Sequence, residues 1–177
     1  MILCGLICCA CRTQPSSTRL TVADFELIST EIAARLRQSD FLTDRTPQSK
    51  RLILTVESVT NLSTDLLSEG EKWYLVDRVL DAPTMRSLGQ SKNIGFVIPI
   101  EKLHLFKEHV NETANIARNR QPTHVMRTVL RSISRTAGAD RTDLYDVEFK
   151  IVAIPKGQLV WSDHFALKRI ARGKAYN

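Results

Sequence analysis

Two stretches in the last third of the chain alternate between apolar and polar residues, and this pattern constrains the fold most strongly. In residues 144–154 apolar side chains occupy the odd positions, and charged ones lie between them. A period of two predicts a strand with one buried face and one face in water. A second such stretch follows a turn in which Gly157 suits a positive φ angle, so the pair predicts a β-hairpin. The apolar positions of the second stretch are Leu159, Trp161, Phe165 and Leu167.

The part of the chain before these strands contains three stretches that predict helices. Thr21 and Asp24 have the spacing of a capping box, which predicts a helix that begins near Thr21. Its buried stripe at helical spacing is Phe25, Ile28, Ile32 and Leu36. A further helix is predicted over 71–80, and Pro83 should end or bend it. Residues 101–112 favour another helix after a proline.

Strands are predicted at three further places, because these stretches are rich in β-branched and apolar residues: 52–59, 93–99 and 124–135. After the first of them, Asn61 and Asp65 are interpreted as turn residues that bond local backbone amides. The whole pattern predicts one α+β domain without internal repeats. Its mixed, largely antiparallel sheet is flanked by helices.

The distribution of charge bears on the class of partner. The formal net charge is +6, but Arg and Lys are scattered from Arg12 to Lys174 with acidic residues between them. A nucleic-acid-binding domain concentrates its basic residues on one face or one helix, so this scatter argues against a nucleic-acid partner. The basic run at 162–174 suits an acidic partner surface or, more commonly, a solvated strand end.

No motif in the sequence indicates catalysis, a metal or a cofactor. The patterns GxSxG, HExxH, GxGxxG and GxxxxGK[ST] are all absent. The histidines lie in separate contexts, at His104, His109, His124 and His164. Asp140 and Asp143 flank the predicted hairpin and are interpreted as turn residues. We therefore expect no catalytic residue, no metal site, no cofactor and no small-molecule substrate.

All four cysteines lie in the first eleven residues, at Cys4, Cys8, Cys9 and Cys11. A zinc site needs ligand groups that converge, and the chain has no second group of cysteines. A disulfide framework spreads its cysteines through a domain to close loops, and these would close almost none. Their spacing therefore argues against metal, redox and disulfide roles.

The residues around these cysteines follow the order of a bacterial lipoprotein signal. An apolar run at 2–10 ends in the small residue Ala10, Cys11 follows, and a polar stretch comes next. Cleavage there would leave Cys11 as the lipidated N-terminus and discard the other three cysteines. The pattern is incomplete, because Cys8 stands where leucine is expected and no Lys or Arg precedes the run. An apolar tail from a mis-chosen start codon is the alternative interpretation.

The chain is accordingly predicted to have three parts. Residues 1–10 form a signal peptide, 11–20 a lipidated tether, and 21–177 one globular domain. Fully extended at ~3.5 Å per residue, a tether of about ten residues reaches roughly 35 Å. The domain would contain no cysteine, which suits an oxidising compartment.

The C-terminal half also carries a family pattern. A strand with Tyr, Val and Phe at alternate positions leads through a glycine turn to a strand with Val-Trp-Ser-Asp and a Lys-Arg pair. The positions concerned are Tyr145, Val147, Phe149, Gly157, Val160, Trp161, Ser162, Asp163, Phe165, Lys168 and Arg169. This pattern resembles the LpoB family of peptidoglycan-synthase activators. The stretch 52–64 resembles the opening strand of that family, so the likeness spans roughly residues 50–175.

The resemblance implies a fold like the N-terminal domain of TolB and a role in the bacterial envelope. Members of the family are outer-membrane lipoproteins that face the periplasm. They bind and stimulate a bifunctional penicillin-binding protein without being enzymes themselves. Arg12 follows Cys11 where an aspartate would suggest retention in the inner membrane, so outer-membrane sorting is expected. No partner-binding residue is carried over, because the family's contact surface is not part of the matching motif.

Two alternatives to the activator function stay open. The family's activators carry a long disordered linker, whereas only about ten residues follow Cys11 here. A lipoprotein of the same fold can instead act as a structural or secretion-assembly component. The other alternative is a soluble cytoplasmic binding module or enzyme whose start was mis-assigned.

Overall fold

A computed structural model describes residues 17–99 and 121–172 of the chain. The helices are α1 (Val22–Arg37), α2 (Asp40–Thr43), α3 (Glu69–Asp81) and α4 (Pro83–Ser91). The strands are β1 (Leu52–Val56), β2 (Thr60–Leu62), β3 (Ile94–Val97), β4 (His124–Ala137), β5 (Asp140–Ala153) and β6 (Gln158–Arg172). The helix predicted over 101–112, with His104 and His109, lies outside the described residues, as does Cys11.

The strands form one mixed sheet in the order β3-β1-β4-β5-β6, with β2 also paired to β4. The pairs β1–β3, β1–β4 and β2–β4 are parallel. The pairs β4–β5 and β5–β6 are antiparallel and much longer, with fourteen residue pairs in each ladder. The predicted α+β class, with a largely antiparallel mixed sheet and helices, is confirmed.

Local sequence signals account for where the helices begin. Thr21 and Asp24 form the predicted capping box at the start of α1, with both reciprocal hydrogen bonds present. Ser68 and Glu71 form a second capping box, and α3 therefore begins two residues before the predicted 71–80 stretch. Pro83 ends α3 as predicted and also occupies the first turn of α4, where its missing N–H costs nothing.

The main apolar core lies between the helices and one face of the sheet, which we call the inner face. Alternation along β4 and β5 places even positions of β4 and odd positions of β5 on this face, as the period of two predicts. The core residues of these strands are Met126, Leu130, Tyr145, Val147, Phe149 and Ile151. The predicted stripe of α1 packs against them through Phe25, Ile28, Ile32 and Leu36, all buried. The opposite side of the sheet is the outer face.

The register of the β5–β6 hairpin differs from the predicted one at its start. Gly157 has the expected positive φ of 67°. A β-bulge then follows, because Ile151 pairs with Trp161 but Val152 pairs with Leu159. The extra residue breaks the alternation, so the prediction that Leu159 shares the buried face is wrong. Leu159 is 52% exposed, and the neighbouring Val160 packs against the core instead.

The stretch predicted as a turn at 61–65 overlaps the end of the short strand β2. Asn61 does bond local backbone: its amide donates to the Asp65 carbonyl at 2.6 Å, and its Oδ1 accepts from the Ser63 amide at 3.0 Å. The carboxylate of Asp65 accepts from distant residues, so its predicted local role is wrong. It reaches them because the chain after β2 crosses the end of β5, where Tyr145 is buried.

Candidate functional site

A fully buried carboxylate, that of Asp143, lies on the inner face near the start of β5. The Thr18 hydroxyl donates to it at 2.6 Å, and the Arg141 guanidinium contacts it through Nη2 at 3.0 Å. The interpretation of Asp143 as a turn residue is wrong, because β5 begins at Asp140 and the odd positions of this strand face inward. Asp140 does lie beside the turn, and it is bonded to Arg172 at 2.9 Å.

Asp143 is held in its charged form by its donors. Burial by itself disfavours the carboxylate, but hydrogen bonds from Arg141 and Thr18 outweigh that cost, and the pKa of Asp143 lies below its usual value. Loss of a donor would leave a buried negative charge incompletely compensated. The Thr18 contact therefore contributes to the stability of the domain.

A second group of hydrogen bonds lies beside the first. The Tyr145 hydroxyl lies 2.8 Å from Asp65 Oδ2 and 3.2 Å from the Thr18 carbonyl oxygen. Asp65 Oδ2 also accepts from the Leu20 amide at 3.1 Å. Burial, reinforced by the hydrogen bond to Asp65, raises the pKa of Tyr145, so its hydroxyl stays a neutral donor.

These contacts fix the segment that precedes α1 to the sheet. Thr18 is buried, and its side chain, its carbonyl and the amide of Leu20 all have partners in distant parts of the chain. Thr18 and Leu20 belong to the stretch predicted as tether. Six residues, 11–16, separate the end of this described segment from the predicted signal peptide.

Helix α1 is bonded to β6 at both of its ends. Near its start, Asp24 contacts Arg169 at 3.4 Å. Near its end, Arg35 lies 3.2 Å from Asp163 and donates to the His164 carbonyl at 3.3 Å. The Asp163 carboxylate accepts from the His164 amide at 2.7 Å, so both backbone groups of His164 are occupied. Because β6 is an edge strand of the sheet that the described residues form, these side chains cover part of that edge.

A groove of about 700 Å³ lies between the end of α1, α2 and the start of β6. Phe41, Val160 and Trp161 provide its apolar surface, and side chains of both charges surround them. The sequence predicts that both tryptophans are core residues, because each lies at an apolar position of its helix or strand pattern. Trp73 is buried as predicted, whereas Trp161 is only partly buried and lines this groove.

The outer face combines ion pairs with exposed apolar side chains. Near the middle of the long strands Glu148 is paired with Arg131 at 2.9 Å and with Lys150 at 2.8 Å. Toward the end of the sheet near Asp143, four apolar side chains of this face are exposed, and together they are called the outer patch. They are Leu62, Ile133, Leu144 and Ile170, with exposed fractions of 61%, 55%, 40% and 46%.

The basic run predicted at 162–174 does not form one surface. Lys168 lies on the outer face, whereas Arg169 lies on the inner face and is bonded to Asp24. Arg172 is paired with Asp140, and Lys174 lies outside the described residues. Alternation along β6 therefore divides the run between two sides of the sheet.

The two described histidines are far apart in the sheet. His124 is partly buried at the start of β4, 2.9 Å from the Thr123 hydroxyl, and burial lowers its pKa. His164 is exposed in the middle of β6. Within residues 17–99 and 121–172, no three His, Cys, Asp or Glu side chains are grouped to hold a metal ion. The helices in the same ranges are all too short or too polar to cross a bilayer.

No protein-family model and no curated protein matches the chain. Among solved structures, the LpoB C-terminal domain from Salmonella enterica is similar at a TM-score of 0.46 and 14% identity, over 81% of this chain and 98% of that one. Lipoprotein GNA1162 from Neisseria meningitidis is similar at a TM-score of 0.43 and 12% identity, over 71% of this chain and 86% of that one. The PelC dodecamer from Paraburkholderia phytofirmans is similar at a TM-score of 0.37 and 17% identity, over 74% of this chain and 81% of that one. These likenesses concern the path of the backbone.

Proposed function

We propose that this protein is a non-enzymatic lipoprotein of the bacterial envelope that binds and stimulates a peptidoglycan synthase of the penicillin-binding protein class. The observation that carries the proposal is the hairpin of β5 and β6. The residues that resemble the LpoB pattern have structural roles there: Tyr145, Val147 and Phe149 are buried on the inner face, and Gly157 supplies the positive φ of the turn. The residues that resemble the LpoB pattern therefore occupy the buried and turn positions that a half-buried hairpin requires, and this supports the proposal.

The placement of the polar groups supports a binding role over a catalytic one. Asp143 and Asp65 are buried acidic groups that contact the N-terminal segment, and each accepts hydrogen bonds that join distant parts of the chain. Burial, reinforced by the hydrogen bond to Asp65, raises the pKa of Tyr145 and holds its hydroxyl neutral. Groups engaged in this way stabilise the fold, so they are not available as acid–base catalysts.

The lipid anchor is tested by acyl labelling of the full chain in a bacterial host. We expect Cys11 to be labelled, and Cys11→Ala to abolish both the labelling and the sensitivity of processing to globomycin. Cys4→Ala is the matched control, since Cys4 would be discarded with the signal. Unchanged labelling of Cys11→Ala would contradict the lipoprotein assignment.

The partner is tested by retention on the immobilised protein from solubilised membranes. We expect a bifunctional penicillin-binding protein to be retained, and its rate of glycan polymerisation to rise when the purified chain is added. A column that carries an unrelated lipoprotein provides the control. Retention of no synthase, with a folded chain on the column, would contradict the activator function.

A second candidate is a lipoprotein that assembles with itself or with other envelope components. The docking of Thr18 and Leu20 favours it, because only the five residues 12–16 then lie between Cys11 and the described segment. At ~3.5 Å per residue the span from Cys11 to Ser17 reaches roughly 20 Å, so the domain would stay near its own membrane. Light scattering of the purified acylated chain separates the candidates, since a stable oligomer formed without a synthase favours this one.

A further inference from the structure

The outer patch occupies adjacent strands of the sheet. Ile133 and Leu144 are directly paired between β4 and β5. Ile170 of β6 lies two residues after Lys168, the partner of Leu144, and such diagonal neighbours lie roughly 7 Å apart. Leu62 pairs with Arg131, two residues before Ile133 on β4. Four exposed large apolar side chains thus form one continuous surface on four strands, and such surfaces commonly mark an interaction site.

Basic side chains surround this surface. Arg135 and Lys168 lie on the outer face beside the apolar residues, and neither forms an ion pair with an acidic residue of the described ranges. Arg131 and Arg172 also border the patch, each with acidic partners of its own. Apolar side chains with cations around them are the composition that binds the surface of an anionic bilayer.

The N-terminal segment leaves the domain at the same end of the sheet. Thr18 is bonded to Asp143, the residue directly before Leu144. Only β6 separates β5 from the edge of the sheet, and neighbouring strands lie ~4.8 Å apart. The span from Cys11 to Ser17, with a reach of roughly 20 Å, is therefore long enough to pass around that edge to the outer face.

We propose that the outer patch rests on the phosphate-bearing headgroups of the bilayer to which the chain is anchored. This inference depends on the proposed attachment through Cys11 and adds an orientation to it. Attachment makes contact between patch and bilayer intramolecular, so a small apolar surface with two unpaired cations suffices where a free protein would dissociate. The helical side of the domain then faces away from the membrane.

The test couples the full chain to vesicles chemically, so that it does not depend on acylation in a cell. Cys4→Ser, Cys8→Ser and Cys9→Ser leave Cys11 as the single thiol, which reacts with maleimide lipid in vesicles of brominated phosphatidylcholine and phosphatidylglycerol. Ala166→Trp introduces a reporter on the outer face, next to the patch. Thr30→Trp is the matched reporter on the exposed side of α1.

For Ala166→Trp we expect bromine quenching and a blue shift of the tryptophan emission. For Thr30→Trp we expect no more quenching or blue shift than the parent chain shows. Adding Arg135→Glu and Lys168→Glu should abolish the quenching of Ala166→Trp. The control pair Arg37→Glu and Lys156→Glu makes the same charge change away from the patch and should leave the quenching unchanged.

Three results would overturn the proposed orientation. An equal response of the two reporters would mean that the domain has no preferred face. Ala166→Trp could stay unquenched while coupling is complete, which would mean that the patch does not meet lipid. A blue shift of Ala166→Trp without vesicles, rising with protein concentration, would assign the patch to a second copy of the chain. A failure of Cys11 acylation in cells would instead count against the anchor and leave this measurement intact.

Discussion

Thr18 is the residue that joins the N-terminal segment most closely to the sheet. Its hydroxyl donates to the buried Asp143, and its carbonyl lies within hydrogen-bond distance of Tyr145. We predict that Thr18→Val lowers the free energy of unfolding by about 1–3 kcal/mol, since a buried carboxylate loses a donor. Urea denaturation measures the change. Thr30→Val, which removes an exposed hydroxyl from α1, should change stability by less than about 0.5 kcal/mol, and equal effects would contradict the role of Thr18.

Asp143 should make stability depend on pH in the acid range. Its pKa in the fold lies below that of an unfolded aspartate, near 3.9, so it stabilises the fold above about pH 4. This contribution is lost as the pH falls through the folded pKa. We predict that Asp143→Asn costs about 3 kcal/mol at pH 7, and that the difference from the parent chain shrinks below about pH 4. Asp140→Asn, at an exposed ion pair, is the control, and a pH-independent difference for Asp143→Asn would contradict the prediction.

The polar contacts of the site could not be predicted from the sequence. Thr18 and Asp143 are 125 residues apart, and Leu20 and Asp65 are 45 apart. Asp65 and Asp143 were assigned to turns because the short-range preferences of aspartate favour turns. For Asp143 one signal was available. It continues the odd-numbered alternation of 145–153, and a longer strand would have placed it on the buried face.

At the scale of single elements, Arg35 links α1 to the edge strand β6. It bonds Asp163 and the His164 carbonyl, and its guanidinium lies over the Phe165 ring at 5.9 Å. We predict that Arg35→Met exposes this part of the edge, so that the chain self-associates in a concentration-dependent way that sedimentation velocity detects. Arg37→Met, on an exposed side of the same helix, should not self-associate. Association of both variants would attribute the effect to lost charge alone.

Some helices and strands could be predicted from the sequence and others could not, because only some of them have a local sequence signal. α1, α3 and the long strands carry strong periodicity and capping boxes, and these signals are local. β2 has three residues and depends on parallel pairing with β4, which no local pattern records. The bulge at Val160 likewise depends on the partner strand, because it is a property of register. Pro83 was predicted to stop a helix, and it also begins α4.

At the scale of the whole molecule, the segment before α1 behaves as part of the domain. We predict that a chain starting at Thr21 is less stable than one starting at Ser17 by about 2–5 kcal/mol, because Asp143 and Asp65 lose donors. Thermal and urea denaturation of the two chains provide the measurement. Equal stability would mean that the contacts of Thr18 and Leu20 contribute nothing.

The docking of this segment also has a mechanical consequence. If tension is applied through an anchor at Cys11, the first contacts to bear it are the hydrogen bonds of Thr18 to Asp143 and of Leu20 to Asp65. The capping box at Thr21 lies behind them in the chain, so the first turn of α1 carries load only after they break. A pulled domain would thus lengthen first by the release of a few residues, while the core that α1 covers stays folded.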